Sequence, residues 1–328
     1  MEGLEGLRAI CSAPGKVILF GEHAVVYGHP AIAAATDQRT RVEVDVCGDR
    51  FTVNGFRLNE RHHAYLLQAV DHCWHRQDPV RLQTEGGVPS ASGTGSSAAL
   101  TVAAVAALLR LQGDDGRARV AQESFGVERL TQGGGSPVDT STSTAGGGIA
   151  IASRDAPAGV GKALWDVTWE DRAWTVERVA LPELTVVVGN SGVKGRTGEQ
   201  VAKVAHAMRR NALVRDALGE LGQIARDAVP ALRRDDRVAV GALMDKAHAA
   251  LYTLGVNHVA VQRLVDAAKA SPGVLGAKLT GAGGGGSMVA LTEDPERTAK
   301  AIEDVGGRAY VIRLGGPGLR WSKALAPA

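Results

Sequence analysis

The chain has 328 residues, of which 45% are hydrophobic and 22% charged, and its formal net charge is +2. This composition is typical of a globular protein, and neither the charge nor the 4% aromatic content favours nucleic acid or an acidic membrane as a partner. No apolar run reaches the roughly 18 residues that span a bilayer, and no signal peptide is evident. The three separated cysteines suit a reducing compartment. We therefore expect a cytoplasmic protein.

Hydrophobic periodicity predicts an α+β first part. In chain order, its predicted elements are a strand over 10–20 interrupted at Pro14-Gly15, a strand at 41–46, a hairpin at 51–58, a helix at 61–76, a short strand at 80–83, a helix ending at 109, a helix at 117–130, and strands at 149–152, 164–169 and 176–181. Residues 131–148 are almost all Gly, Ser and Thr, which predicts a flexible loop. Composition changes near residue 180, so we expect one domain over 1–180 and a second over 181–328.

The second part is predicted to be helix-rich, with strands separated by helices. It opens with a β-branched run that indicates a buried strand. The predicted elements are this strand at 184–188, helices at 199–217, 218–232, 238–254 and 259–270, strands at 277–280, 288–291 and 310–314, and a helix at 296–305.

Residues 88–109, VPSASGTGSSAALTVAAVAALL, join a Gly- and Ser-rich loop directly to an apolar helix. Gly93 and Gly95 lack a Cβ, so a ligand can approach their backbone closely. Ser96 and Ser97 come where a helix begins, with unpaired N–H groups and a positive dipole end. This pattern predicts an anion site, most often for phosphate. A simple glycine-rich helix cap remains the alternative, because the spacing matches neither a P-loop nor GxGxxG.

Residues 13–28, APGKVILFGEHAVVYG, place charged groups at both ends of an apolar strand. Lys16 opens the strand, and Glu22 and His23 follow it. Ionisable groups that converge on a loop-built site favour a function, although a surface lysine and a solvated pair are the alternative.

Asp139 is the only acidic residue in the Gly-, Ser- and Thr-rich segment 131–148. A turn-capping aspartate would be the structural explanation, but the segment is richer in glycine than a turn requires. Glu128 lies just upstream on a predicted helix. Together with Ser97 it could hold Mg²⁺, which prefers a few protein oxygens supplemented by phosphates and water.

Two further segments carry candidate groups. Residues 278–287, KLTGAGGGGS, contain four consecutive glycines after a strand, which predicts close packing against phosphates or against the 88–97 loop. Lys194, Arg196 and Thr197 precede a predicted helix and could bind an anionic substrate group, or simply form a solvated basic surface. The histidines and Cys73 over 62–75 match no zinc-ligand spacing.

The three glycine-containing segments together resemble the signature motifs of the GHMP kinases, the superfamily named for galactokinase, homoserine, mevalonate and phosphomevalonate kinases. The resemblance covers nearly the whole chain. The first motif, with Gly21, Glu22 and His23, is closest to the form in mevalonate kinases. The chain departs from the family at Ala91, where glycine is usual, and at Thr94, where leucine is usual. Pro137 also changes the commoner SGxD around Asp139.

The resemblance implies an α+β fold of two domains, the first like ribosomal protein S5 domain 2 and the second ferredoxin-like, with the site between them. It implies ATP and Mg²⁺, with Mg²⁺ on Ser97 and Glu128, Asp139 accepting the hydroxyl proton and Lys16 beside it. The implied ATP-binding residues are Pro89, Ser92, Gly93, Thr94, Gly95, Ser96, Ser97, Gly283 and Gly284. The implied substrate-binding residues are Lys16, Glu22, His23, Asp139, Arg196 and Thr197.

The implied reaction is phosphorylation of the C5 hydroxyl of mevalonate by ATP, in a cytoplasmic enzyme that we expect to be a homodimer, with no nucleic-acid or membrane partner. Phosphomevalonate kinase on the same scaffold is the nearer alternative, and it would need an additional basic pocket. A non-catalytic sensor of ATP and a metabolite is the alternative from another class. The joint presence of Lys16, Ser97, Glu128 and Asp139 argues against a sensor.

Overall fold

The computed structural model describes residues 6–89 and 93–322. Within them lie thirteen strands in two sheets. The strands are β1 (Arg8–Phe20), β2 (Ala31–Val46), β3 (Thr52–Val53), β4 (Phe56–Arg57), β5 (Val80–Gly86), β6 (Gly148–Ser153), β7 (Lys162–Trp169), β8 (Arg172–Val179), β9 (Thr185–Asn190), β10 (Val274–Thr280), β11 (Ser287–Thr292), β12 (Arg308–Arg313) and β13 (Arg320–Trp321).

The first sheet has nine strands, with the order β4-β3-β5-β2-β6-β8-β7 and with β1 pairing both β2 and β13. All of its pairs are antiparallel except β3 with β5. The predicted interruption of β1 at Pro14-Gly15 is wrong, because one strand continues through it. The register shifts between Pro14 and Lys16 instead, and such a bulge re-aims the side chains that follow without ending the strand.

Nine helices accompany the sheets in the described residues. They are α1 (Glu60–Cys73), α2 (Ser96–Leu111), α3 (Arg117–Gln132), α4 (Val138–Ala145), α5 (Thr197–Arg210), α6 (Ala212–Arg233), α7 (Arg237–Thr253), α8 (Val259–Ala270) and α9 (Pro295–Asp304). Helix α2 is buried along nearly its whole length and packs between β1 and β2 on one side and α1 and α3 on the other. An apolar helix surrounded in this way anchors the loop that precedes it. None of these helices is long and apolar enough to cross a membrane.

Helix α4 corrects the prediction of a flexible loop over 131–148, and it carries Asp139 in its first turn. Its five consecutive Ser and Thr residues, 140–144, are completely buried. Thr142 and Thr144 donate their hydroxyl groups to the carbonyls of Val138 and Thr140, four residues back. Ser and Thr have a low intrinsic helix propensity, and here burial between neighbouring elements outweighs it.

The second sheet has four antiparallel strands in the order β10-β11-β9-β12. With its helices it forms the ferredoxin-like arrangement that the resemblance to the GHMP kinases implies. Helices α7 and α8 pack against β10, and α9 packs against β9 and β12. The predicted break between two long helices at residue 217 is wrong. The break lies at Asn211, whose side chain accepts a hydrogen bond from the N–H of Leu213 and so caps α6.

The two sheets share one hydrophobic core, which includes Phe20 and Ile32 from the first and Val187 and Leu279 from the second. The chain passes from the first sheet to the second between β8 and β9, which supports our proposal of a domain boundary near residue 180. Strand β13 then returns to β1 of the first sheet, a feature that the sequence did not predict. The site lies in the cleft between the two units.

Candidate active site

A cleft of about 700 Å³ is lined by residues from both domains. Three helices begin at its wall, since Ser96 of α2, Val138 of α4 and Thr197 of α5 all line it. The unpaired N–H groups and positive dipole ends of such helix termini favour anionic ligands. The cleft is therefore suited to a polyphosphate.

The loop before α2 is shaped for close approach to a ligand. Gly95 has φ +80° and precedes the helix with no side-chain cap, and a Cβ there would lie 2.7 Å from Cγ of Lys16. Gly93 has φ +76°, and its Cβ would lie 3.0 Å from Oγ of Ser287. At Gly93 the loop thus packs against Ser287 of the second glycine-rich segment, one of the two alternatives that the sequence predicts, and only glycine fits both positions without strain.

Lys16 and Asp139 form the central ion pair of the cleft. Lys16 Nζ lies 3.0 Å from Oδ2 of Asp139, and the side chains are 6% and 28% exposed. The backbone N–H of Lys16 donates to the carbonyl of Thr94 at 2.8 Å. This bond connects strand β1 to the glycine-rich loop that precedes α2. The pair therefore sets a cation beside the Asp139 carboxyl at the start of α4.

Glu128 reaches the same cleft from α3. Its Oε2 is buried without a hydrogen-bond partner. Burial, followed by the nearby charge of Asp139, raises the pKa of Glu128 to about 8, although Lys16 and Arg129 oppose the shift. A buried carboxylate oxygen without a partner, in a cleft that also exposes the Ser97 hydroxyl, fits the hard oxygen ligands that Mg²⁺ prefers. No group of three or more His, Cys, Asp or Glu in the described residues suggests a different metal site.

Tyr65 is a cleft residue that sequence reasoning missed. Its hydroxyl is hydrogen-bonded to Ser97, and Gln132 donates to it. Burial and the charge of Glu128 raise the pKa of Tyr65 to about 12, so the phenol stays neutral. Tyr65 therefore contacts the Ser97 hydroxyl through a neutral phenol. No local pattern in the predicted helix 61–76 marks this residue.

Glu22 and His23 connect the first motif to the third. Glu22 forms a buried ion pair with Lys278, and Nε2 of His23 donates to the carbonyl of Ala282 at 2.9 Å. Burial lowers the pKa of His23, although its bond to Ala282 opposes the shift. His23 also has φ +61°, a strained value for a residue with a side chain, and such strain concentrates at functional sites.

The structure brings most of the predicted site residues together, but not all of them. Gly283 and Thr197 line the cleft, while Gly284 packs beside Gln200. Thr94 of the loop is completely buried. Pro89 is described but does not line the cleft, and the predicted contact at Ser92 lies outside the described residues.

Arg196 does not line the cleft, because its guanidinium pairs with Glu199 at 2.8 Å on an exposed surface. Lys194 of the same segment does line it. The sequence thus predicts that this basic segment lies at the cleft, and in the structure Lys194 lines the cleft while Arg196 does not. The predicted role of Arg196 with a substrate carboxylate stays a prediction.

A two-domain α+β fold with an anion-binding loop and an Asp–Lys pair in the interdomain cleft defines a phosphotransferase of small molecules. The family model described as "GHMP kinases N terminal domain" matches residues 62–147 of this chain. The model described as "GHMP kinases C terminal" matches residues 228–312. The chain belongs to the GHMP kinase family.

Relatives and solved structures agree with this assignment. The mevalonate kinase of Pyrococcus furiosus is 32% identical, with 96% of this chain and 98% of the relative covered. That of Methanothermobacter thermautotrophicus is 34% identical, with 87% and 90% covered. The crystal structure of the Methanococcus jannaschii mevalonate kinase has the same fold, with a TM-score of 0.72 at 24% identity over 93% of this chain and 98% of that one.

Proposed function

We propose that this protein transfers the γ-phosphoryl group of ATP to the C5 hydroxyl of (R)-mevalonate, giving 5-phosphomevalonate for isoprenoid biosynthesis. The observation that carries the proposal is the contact of 3.0 Å between Lys16 and Asp139, in the cleft that the Gly93–Ser97 loop also lines. The near full-length similarity to mevalonate kinases supports mevalonate as the acceptor.

Each residue has a role that follows from its place. The backbone of the loop and the start of α2 hold the phosphates of ATP, because helix N-termini bind such anions. Asp139 accepts the proton of the attacking hydroxyl, and the Lys16 ammonium favours the alkoxide as its charge develops. Phosphoryl transfer requires mainly positioning and charge neutralisation, which these fixed groups provide.

Ser97 and Glu128 are the residues that would hold Mg²⁺. When bound, the ion neutralises charge on the phosphates of ATP. The fit rests on the partnerless Oε2 of Glu128 and on the Ser97 hydroxyl that Tyr65 orients. Glu22 and His23 shape the substrate end of the cleft, where Thr197 would meet the carboxylate of mevalonate. Arg196 would join it only by leaving its exposed pair with Glu199.

Phosphomevalonate kinase is the second candidate on this scaffold. The described lining of the cleft contains two lysines, Lys16 and Lys194, and no arginine. Lys16 is already paired with Asp139. This modest positive charge suits a monocarboxylate better than a substrate that carries a phosphate as well. A homodimer and a cytoplasmic location stay predictions.

An ADP-release assay with mevalonate, phosphomevalonate, homoserine and galactose tests the proposal. We expect kcat/KM for mevalonate to exceed that for each other acceptor by at least about 100-fold, since a site built for one set of polar groups rejects others strongly. A higher kcat/KM with phosphomevalonate would transfer the assignment to the second candidate. No ADP release with any acceptor would favour a sensor.

A further inference from the structure

The helix that carries Asp139 has little intrinsic stability. Helix α4 spans only Val138–Ala145, and residues 140–144 are all Ser or Thr. Isolated helices of this length do not persist in water, and Ser and Thr are among the weaker helix formers. The orientation of α4, and with it that of Asp139, therefore depends on its burial between neighbouring elements and on the contacts that hold its ends.

Two arginines from other elements hold the C-terminal end of α4. Arg117 of α3 donates through Nη1 to the carbonyl of Thr144 at 3.0 Å. Arg178 of β8 donates through Nη2 to the carbonyl of Ala145 at 3.0 Å and through Nη1 to that of Gly146. The last carbonyls of a helix lack intrahelical partners and carry its negative dipole end, so cationic donors there are favourable.

The electrostatics of the two arginines support a dedicated role. Burial lowers the pKa of both guanidinium groups, and the charge of Arg117 lowers that of Arg178 further. No carboxylate contributes to either shift. Like charges placed near each other disfavour each other, and the two arginines are compensated differently. Arg117 is exposed and lies 4.8 Å from the centre of the Trp321 ring, in addition to its bond to α4. Arg178 is half-buried, and it donates to the carbonyls of Ala145 and Gly146 at the end of α4.

We propose that Arg178, together with Arg117, is a positioning residue for Asp139. The two guanidinium groups fix the C-terminal end of α4, and the helix transmits this constraint over about 10 Å, at 1.5 Å per residue, to its first turn. Asp139 is thereby kept against Lys16 and aimed at the acceptor hydroxyl. The inference rests on the proposed role of Asp139 as proton acceptor.

Arg178→Gln removes the bidentate donor, and Arg172→Gln is the matched control, because Arg172 is an exposed residue of the same strand. We expect Arg178→Gln to lower kcat by roughly 10- to 100-fold, the loss that a small misplacement of a reacting group causes, while KM for ATP changes less than about twofold. Arg178→Lys keeps the charge but reaches fewer carbonyls, so it should lose less. Arg172→Gln should behave as the parent.

The decisive test is a double-mutant cycle with Asp139→Asn, read as single-turnover phosphoryl transfer from labelled ATP. Arg178→Gln should lower the single-turnover rate of the parent about tenfold or more. If Arg178 acts through Asp139, the same substitution will lower the residual rate of Asp139→Asn by less than about twofold. The proposal would be overturned if Arg178→Gln lowered the rate by the same factor in the parent and in Asp139→Asn. An unchanged kcat in Arg178→Gln would also overturn it. If Arg178→Gln does not fold, Arg178→Lys is judged by the same criterion.

The cycle separates this inference from the proposed function. An inactive Asp139→Asn beside a fully active Arg178→Gln would leave the function intact and remove only the positioning role. A fully active Asp139→Asn would instead refute the proton acceptor, and the positioning role would fall with it.

Discussion

Glu22 and Lys278, 256 positions apart in the chain, form an ion pair that is almost completely enclosed between the two domains, with side-chain exposures of 1% and 0%. Burial lowers the pKa of Lys278, although the charge of Glu22 opposes the shift. Glu22 Oε2 has no partner in the described residues. The pair therefore joins the first motif to the third directly behind the substrate end of the cleft.

We predict that Lys278→Met destabilises the protein by about 3–5 kcal/mol, because it leaves a buried carboxylate without its partner. The double variant Glu22→Gln with Lys278→Met should recover most of this loss, since no isolated charge remains. Urea unfolding of the three proteins measures the differences in free energy.

Lys269→Met is the matched control for this experiment. Lys269 pairs with Asp245 at 2.7 Å, but the side chains are 45% and 34% exposed. Its loss should cost no more than about 1 kcal/mol. If Lys278→Met were as stable as Lys269→Met, the claim that the Glu22 carboxylate needs Lys278 as its buried partner would be contradicted.

The raised pKa of Glu128 predicts a pH-dependent cost in stability. In the unfolded chain a glutamate loses its proton near pH 4.3, whereas in the folded protein burial and Asp139 raise the pKa of Glu128 to about 8. The folded state therefore binds the Glu128 proton more tightly than the unfolded chain does. The stability that this bound proton contributes at low pH is lost as the pH rises toward and through 8.

Glu128→Gln cannot ionise, so without Mg²⁺ it should unfold at a higher temperature than the parent. The difference should grow from about pH 5 to pH 8 and stay constant above, as the linkage relation requires. Thermal unfolding across this range measures it, with the exposed Glu60→Gln as a variant that should not show the trend. A difference that shrinks as the pH rises would contradict the assigned shift.

Ser97 and Tyr65 share one hydrogen bond, which allows the role of the Ser97 hydroxyl to be isolated. Ser97→Ala removes both the hydrogen bond and the proposed magnesium ligand, while Tyr65→Phe keeps the ligand and removes the bonds of the phenol to Ser97 and Gln132. We predict that the Mg²⁺ concentration for half-maximal activity rises by roughly tenfold or more in Ser97→Ala and by less in Tyr65→Phe, since orienting partners contribute less than the ligands they orient. Equal Mg²⁺ titrations for both variants would remove Ser97 from the metal site.

The chain's local patterns predict the parts of the site that depend on local chemistry. The glycines and serines over 93–97 predict a loop that opens a helix, and the isolated Asp139 and the charged Lys16 within an apolar strand stand out by residue type. Their roles came from the resemblance to the GHMP kinases, because no local pattern tells a proton acceptor from a capping aspartate. The alternation of strands and helices in the second part likewise predicts its α+β fold class.

The remaining features depend on contacts between distant segments. The helix around Asp139 exists because its hydroxyl side chains are buried and Arg117 and Arg178 hold its end, so propensity alone predicted a loop. Tyr65 lies within a predicted helix and Lys278 at the end of a strand, and only the fold brings Tyr65 to the cleft and Lys278 to Glu22. The return of β13 to the first sheet is also invisible locally, since two residues carry no periodicity.

The most direct measurement of the central claim is single-turnover phosphoryl transfer from ATP to mevalonate by the parent and by Asp139→Asn, with thermal unfolding recorded on the same samples. The parent should form 5-phosphomevalonate, and Asp139→Asn should form it about 100- to 10,000-fold more slowly, the range for a lost general base. Its unfolding temperature should stay close to that of the parent. A variant that is destabilised but transfers the phosphoryl group at the parent rate would contradict the account, because Asp139 would then only cap the start of α4.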